Sequence, residues 1–377
     1  MSNMRDIVGS YTAGLAWTRS QALDLHRCSN DVKTRDPPGF FLGTSQEAVL
    51  ATLKDVARLA GVSVKTVSNV VNGYSFVKPD NRRRVEEALE ATGYRPNLGA
   101  RNLRRGRTGF IALVLPELSI PYFAELAGLV IAAAQEHEWN VLIEQTFGTL
   151  AGERSALASL GPHLVDAAIL SPEALEADDF QLSVPAVLLG EHAVDVPISR
   201  VGIDNVAAAQ AAVRHLISLG HQRIAAIGAH PHRGTAALRL EGYRAALAEA
   251  SLPFVDELVI PALNYHRADG AAAMRSLLDL PSPPDAVFCF NDLLAIGAMR
   301  AAAERQVRVP SQLAVVGFDN NEESVYSSPS LTSVAPDKSA IARAAVDLLH
   351  QRVETGELLA DVETPFSLQV RESTVAR

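Results

Sequence analysis

Only two cysteines, Cys28 and Cys289, occur in 377 residues, and no Cys/His group has the spacing of a metal site. A disulfide framework and a zinc-type centre are thereby excluded as the basis of the fold, and a reducing cytosol is the compartment this usage fits. Long apolar runs are missing too: none exceeds six residues, Phe110–Leu115 being one, so no segment reads as a membrane-spanning helix. The first residues lack a basic flank, an apolar core and a small-residue cleavage site, so no secretory leader is expected. Neither a Gly-rich phosphate loop nor a nucleophile elbow occurs, and the acidic and His residues form no catalytic set, which argues against an enzyme. No cofactor is expected.

The chain is 48% hydrophobic and 20% charged, enough to bury a sizeable core in two or three domains. Its net charge of -9 is unevenly spread. Residues 1–50 carry five basic and five acidic side chains, residues 51–106 eleven and five, and residues 107–377 eighteen and thirty-three. A small basic module therefore precedes a large acidic one, and a local excess of cations can bind phosphate while the remaining surface provides solubility.

Residues 1–50 show no sustained period of 3.6 or 2 and end in the breaker-rich Asp36-Pro37-Pro38-Gly39. They are read as a mostly unstructured extension. From Thr52 the pattern changes. Thr52 and Asp55 make a variant capping box, and Leu53, Val56, Ala57 and Ala60 share one helical face. Gly61-Val62-Ser63 is a tight turn, and Val64, Val67, Val70 and Val71 mark a second short helix. A third helix opens at Pro79, runs through Val85, Ala88 and Leu89, and stops at Gly93.

Two helices joined by such a turn form a helix-turn-helix. The second helix carries Ser63, Val64, Lys65, Thr66, Ser68, Asn69 and Asn72, a set of small polar, amide and cationic groups suited to phosphates and base edges in a major groove. A small helical interaction module with a solvated polar face is the alternative. The stretch 97–106 that follows Tyr94-Arg95-Pro96 is too short for a stable isolated helix and carries Gly99, so it reads as a hinge that orders only when held.

From Gly109 onward short apolar runs alternate with Ala-rich helical stretches. Strands are expected at Phe110–Leu115, Asn140–Ile143, Ala167–Leu170 and Ala186–Leu189, then at Ile224–Ile227, Ala286–Phe290 and Leu313–Val316, with Phe366–Val370 as a plausible last strand. The pattern predicts α/β architecture with parallel sheets covered on both faces, and its length predicts two lobes with a cleft between them.

The run Thr52-Leu53-Lys54-Asp55-Val56-Ala57-Arg58-Leu59-Ala60-Gly61-Val62-Ser63-Val64-Lys65-Thr66-Val67-Ser68-Asn69-Val70-Val71-Asn72-Gly73 resembles the headpiece of the lactose-repressor/galactose-repressor (LacI/GalR) family of bacterial transcription regulators. Gly93-Tyr94-Arg95-Pro96-Asn97 with Ala100 and Leu103 resembles its hinge. Val165-Asp166, Gly220-His221-Gln222-Arg223-Ile224, Asn291-Asp292, Val315-Val316-Gly317-Phe318-Asp319 and Pro329-Ser330-Leu331-Thr332-Ser333-Val334 resemble landmarks of its effector core.

The resemblance implies a headpiece over 51–95, a hinge helix over 96–107, and a two-lobed, periplasmic-binding-protein-like core of doubly wound parallel sheets over 108–377. Lobe 1 is expected at about 109–205 and 334–360, lobe 2 at about 206–333 and 361–377. It also implies a cytoplasmic repressor that binds a pseudo-palindromic double-stranded operator as a homodimer, with a small-molecule effector, a sugar first, in the cleft. Base readers fall on Val64, Lys65 and Asn69. Thr52, Ser63, Thr66, Ser68, Asn72, Tyr94, Asn97 and Ala100 supply further DNA contacts, and Leu103 is a minor-groove wedge. Effector residues fall on Tyr122, Phe123, Arg239, Tyr265, Asn291 and Asp319, types that suit a polyhydroxylated ring. No leucine heptad follows the last strand, so a dimer is expected rather than a tetramer. A periplasmic-type solute-binding protein would share the two lobes but not the basic headpiece.

Overall fold

A computed structural model of the chain describes residues 51–71, 73–94, 107–190, 196–230, 234–262 and 264–375. Residues 1–50 and the DNA-contact candidates Asn72, Asn97, Ala100 and Leu103 lie outside the described residues. The chain divides into two compact units, one ending at Arg95 and the other beginning at Pro96.

The first unit holds three helices, α1 (Leu53–Ala60), α2 (Val64–Val71) and α3 (Pro79–Thr92). The boundaries are local chemistry. Thr52 caps α1, its hydroxyl accepting the Asp55 N–H while the Asp55 carboxylate accepts the Thr52 N–H at 3.0 Å. Gly61 and Gly93 end α1 and α3 with φ of 61° and 62°, left-handed conformations that cost glycine nothing. Val56, Ala57, Ala60, Val67, Val70, Val85 and Ala88 form the small core.

The second unit contains two six-stranded sheets. The first is ordered β11-β5-β4-β3-β1-β2, from β1 (Phe110–Leu115), β2 (Asn140–Gln145), β3 (Ala167–Leu170), β4 (Ala186–Leu189), β5 (Arg200–Gly202) and β11 (Val362–Glu363). The second is ordered β12-β10-β9-β8-β6-β7, from β6 (Ile224–Ala229), β7 (Val259–Pro261), β8 (Ala286–Cys289), β9 (Ala314–Phe318), β10 (Thr332–Pro336) and β12 (Phe366–Gln369). All pairings are parallel except that of β12 with β10. β1, β3, β4, β8 and β9 are wholly or almost wholly buried, as continuous apolar strands covered on both faces must be.

Helices α4 (Pro121–Glu136) and α5 (Leu150–Ser159) belong to the first lobe; α6 (Asn205–Ser218), α7 (Gly234–Glu249), α8 (Arg267–Leu278), α9 (Asp292–Glu304) and α10 (Glu322–Tyr326) belong to the second. Helix α11 (Lys338–Thr355) returns to pack on α4 and on the first sheet. Two crossings therefore fall a few residues beyond the expected ones at 334 and 361. β10 stays in the second sheet through Pro336, and Val362–Glu363 pairs with β5 of the first. Pairing with a distant neighbour, not local hydrophobicity, decides where such short segments go.

Candidate functional site

In the first unit the second helix of the helix-turn-helix presents the predicted reading residues. Val67 and Val70 turn inward, leaving Val64 and Lys65 exposed and Ser68 and Asn69 half-exposed. Ser63 and Thr66 are engaged locally: the Ser63 hydroxyl accepts the Thr66 N–H at 3.1 Å, and the two hydroxyls lie 2.9 Å apart. Their first task is to start α2. Thr52 is committed in the same way to the cap of α1, and hydrogen bonds from Thr52 hold the Asp55 carboxyl below its usual range. Tyr94 packs its ring against the small core.

In the second unit the C-terminal ends of parallel strands and the first turns of the following helices converge between the lobes, where doubly wound sheets place ligand sites. They enclose a cavity of about 170 Å³ that Tyr122, Phe123, Arg239, Tyr265, Asn291 and Asp319 all line. Tyr122 and Phe123 stand in the first turn of α4, edge to face with ring centroids 5.3 Å apart. Arg239, from α7, donates through Nε to Asn205 Oδ1 at 2.9 Å and through Nη1 to the Phe290 carbonyl. Its guanidinium lies 3.6 Å from the Phe318 ring centroid, with Nη2 4.0 Å from Asp319 Oδ1. So held, the Arg239 guanidinium is fixed in place at the cavity wall.

Asn291 caps α9: its Oδ1 accepts the Leu294 N–H at 2.8 Å while Nδ2 donates to the Tyr265 carbonyl at 3.0 Å. One of its amide hydrogens remains for a ligand. Tyr265 donates its hydroxyl to the Gly228 carbonyl at 2.6 Å, which fixes the ring as a wall. Asp319 is only 6% exposed; burial raises its carboxyl to about 6, against the pull of Arg239 and Lys338. Burial, helped by Asp319, also pushes the Tyr122 phenol well above its usual value.

The sequence reading missed other lining residues: Glu117, Phe147, Glu173, Asn205, Thr235 and Asn264. Glu117 follows β1, and its carboxylate lies 3.2 Å from His266 Nε2 of the opposite lobe. Asn205 opens α6 after the three-residue β5, where Asp204 accepts the Ala207 N–H; that cap was the available signal. Phe147 is 72% exposed. Glu125 of α4 and Lys338 of α11 pair within the first lobe, and both reach the second: Lys338 donates to the Asn320 carbonyl at 3.2 Å and Glu125 accepts the Glu322 N–H at 3.3 Å. Among the described residues no cluster could hold a metal ion, and no helix is long and apolar enough to cross a membrane.

Comparison with known proteins accounts for both units. Residues 52–97 match the family described as bacterial regulatory proteins, lacI family, and residues 213–374 match a periplasmic binding protein-like domain. The chain is 33% identical over 340 residues to the HTH-type transcriptional repressor CytR of Escherichia coli (strain K12), covering 88% of this chain and 98% of that protein. It is 31% identical over 308 residues to the ribose operon repressor of Haemophilus influenzae, covering 81% and 92%. Among solved structures, the lac repressor dimer bound to operator and the anti-inducer ONPF superposes with a TM-score of 0.77 at 28% identity, over 87% of this chain and all of that one. Both sequence relatives are repressors. With a helix-turn-helix unit, a two-lobed core, and relatives matched along nearly their whole length, the chain belongs to the LacI/GalR family of bacterial transcription regulators.

Proposed function

We propose that the protein is a cytoplasmic repressor that binds a pseudo-palindromic operator as a homodimer, and whose operator affinity is set by a neutral sugar or nucleoside in the cleft. The headpiece reads half-sites through Val64, Lys65 and Asn69. Lys65 can approach guanine O6 and N7, and Val64 can meet a thymine methyl. Asn72, Tyr94, Asn97, Ala100 and the Leu103 wedge complete the contact set. Ligand in the cleft changes the arrangement of the two lobes and thereby the register of the paired headpieces.

One observation carries the ligand class. Among the described residues the cavity lining holds three carboxylates, Glu117, Glu173 and Asp319, against one cation, Arg239. A phosphorylated or carboxylated ligand would meet net repulsion there, whereas a polyol supplies hydroxyl donors to those acceptors and an apolar face to Tyr265 and Phe123. The similarity to a ribose operon repressor supports the same class.

Thermal-shift screening tests it, with ribose, neutral hexoses, nucleosides and ribose 5-phosphate as probes. A ligand that binds only the native state raises the melting temperature by mass action. A neutral compound should raise it and its phosphorylated counterpart should not. A shift from phosphorylated sugars alone would overturn the assignment.

A further inference from the structure

Asp319 enters the cleft from a turn in which three consecutive residues are costly. Asp319 and Asn320 have φ of 99° and 48°, in the left-handed region that non-glycine residues avoid. Asn321 is fully buried, and its side-chain Nδ2 and Oδ1 have no hydrogen-bond partner among the described residues. Such a turn persists only if its surroundings hold it.

The holding group is a carboxyl that does not itself line the cavity. Asp292 is completely buried; its Oδ2 accepts the Asn321 N–H at 2.7 Å, and its Oδ1 accepts the Ser333 hydroxyl at 2.6 Å. The Ser333 oxygen in turn accepts the Asn320 N–H at 3.0 Å. Both backbone N–H groups that follow Asp319 therefore end on one carboxyl, one directly and one through a hydroxyl. The neighbouring strand is stripped to admit it: a Cβ on Gly317 would stand 2.3 Å from Asp292 Oδ1.

Asp292 is also the first residue of α9, directly after the cap Asn291. A single side chain thus ties together the two elements that bring Asn291 and Asp319 to the cavity. Resting on the effector reading of the cleft, we infer that Asp292 is a positioning residue that sets effector affinity by fixing the Asp319 turn, with Ser333 as its relay. Burial raises the Asp292 carboxyl well above its usual range. The grip does not need its charge, because a protonated carboxyl still accepts from Asn321 through its carbonyl oxygen and can donate to Ser333.

Two measurements on the full-length protein test this. The first needs no ligand: amide hydrogen exchange over residues 315–325. Asp292→Ala removes both oxygens that hold the turn, so exchange in this segment should rise by about tenfold or more while β1 and the headpiece keep their protection. Ser333→Ala should loosen Asn320 alone. Unchanged exchange in both variants would overturn the inference.

The second is calorimetry with ribose as the probe. Asp292→Ala should weaken binding by about tenfold or more and add nothing further in an Asp319→Asn background, since it acts through Asp319. A merely structural role would leave the two effects additive, and that result would sink the proposal. If Asp319→Asn loses ribose and Asp292→Ala keeps it, positioning is refuted. If Asp319→Asn itself binds ribose normally, the effector reading of the cleft fails instead. If the wild type does not bind ribose, the exchange result alone decides.

Discussion

Lowering the pH should weaken effector binding through one group. Asp319 sits almost wholly buried in the cleft, with its carboxyl raised to about 6 by burial while Arg239 and Lys338 pull it down and Glu125 pushes it up. The unfolded chain would ionise this group near 3.8, so at neutral pH its charge costs the fold about 3 kcal/mol. That cost is absent below the ordinary value and grows as pH rises from there to about 6. Effector binding runs the opposite way. If the proposed ligand's hydroxyls donate to the ionised carboxylate, affinity should be full above about 6 and fall below it. One unit below that value only about one molecule in eleven is ionised, and the apparent Kd should rise about tenfold. Calorimetry between about pH 5 and pH 7.5, on the wild type and on Asp319→Asn, measures it. The variant should bind weakly with a nearly flat profile, which separates Asp319 from the titratable His266–Glu117 contact at the same cleft. A flat profile in the wild type, or an undiminished slope in the variant, would rule out Asp319 as the responsible group.

Arg239→Ala should abolish the response to ligand while leaving operator affinity nearly intact, because it removes the guanidinium held by Asn205 and the Phe290 carbonyl and touches no DNA; calorimetry and operator binding on one preparation check both halves. Lys65→Ala should cost roughly 1 to 3 kcal/mol on the preferred operator and flatten one symmetric pair of columns in a binding-site selection. Uniform weakening with a salt slope reduced by about one would make Lys65 a phosphate contact instead. Thr52→Ala removes the cap hydroxyl of α1 and should destabilise the headpiece by about 1 kcal/mol, read as a lower midpoint for that unit in denaturant.

The headpiece was legible because its boundaries are set by neighbours in sequence: Thr52 with Asp55, Gly61, Pro79 and Gly93 all act where the pattern placed them. β1, β3 and β4 were legible to the residue, since strands buried on both faces are unbroken apolar runs. β5, β7 and β11 have three residues or fewer and exist only because a neighbouring strand offers them a ladder. β10 was hidden differently. It begins with Thr332 and Ser333, polar residues buried because their hydroxyls meet partners far along the chain, Thr374 and Asp292 among them. The cleft divides in the same manner. The six effector positions came from resemblance, and the structure brings all six to one cavity. Asn205 depends on a strand too short to see, and Asp292 reads as an ordinary first-turn acid until the turn it grips is in place.

If one molecule couples cleft to operator, the coupling of binding free energies must be reciprocal. The direct measurement is the affinity of the ligand found by thermal shift, taken by calorimetry with and without saturating operator DNA, alongside operator affinity with and without saturating ligand. The two ratios should be equal and differ from one by about fivefold or more. A ligand that fills the cleft and leaves operator affinity unchanged would show that the cleft does not control DNA binding.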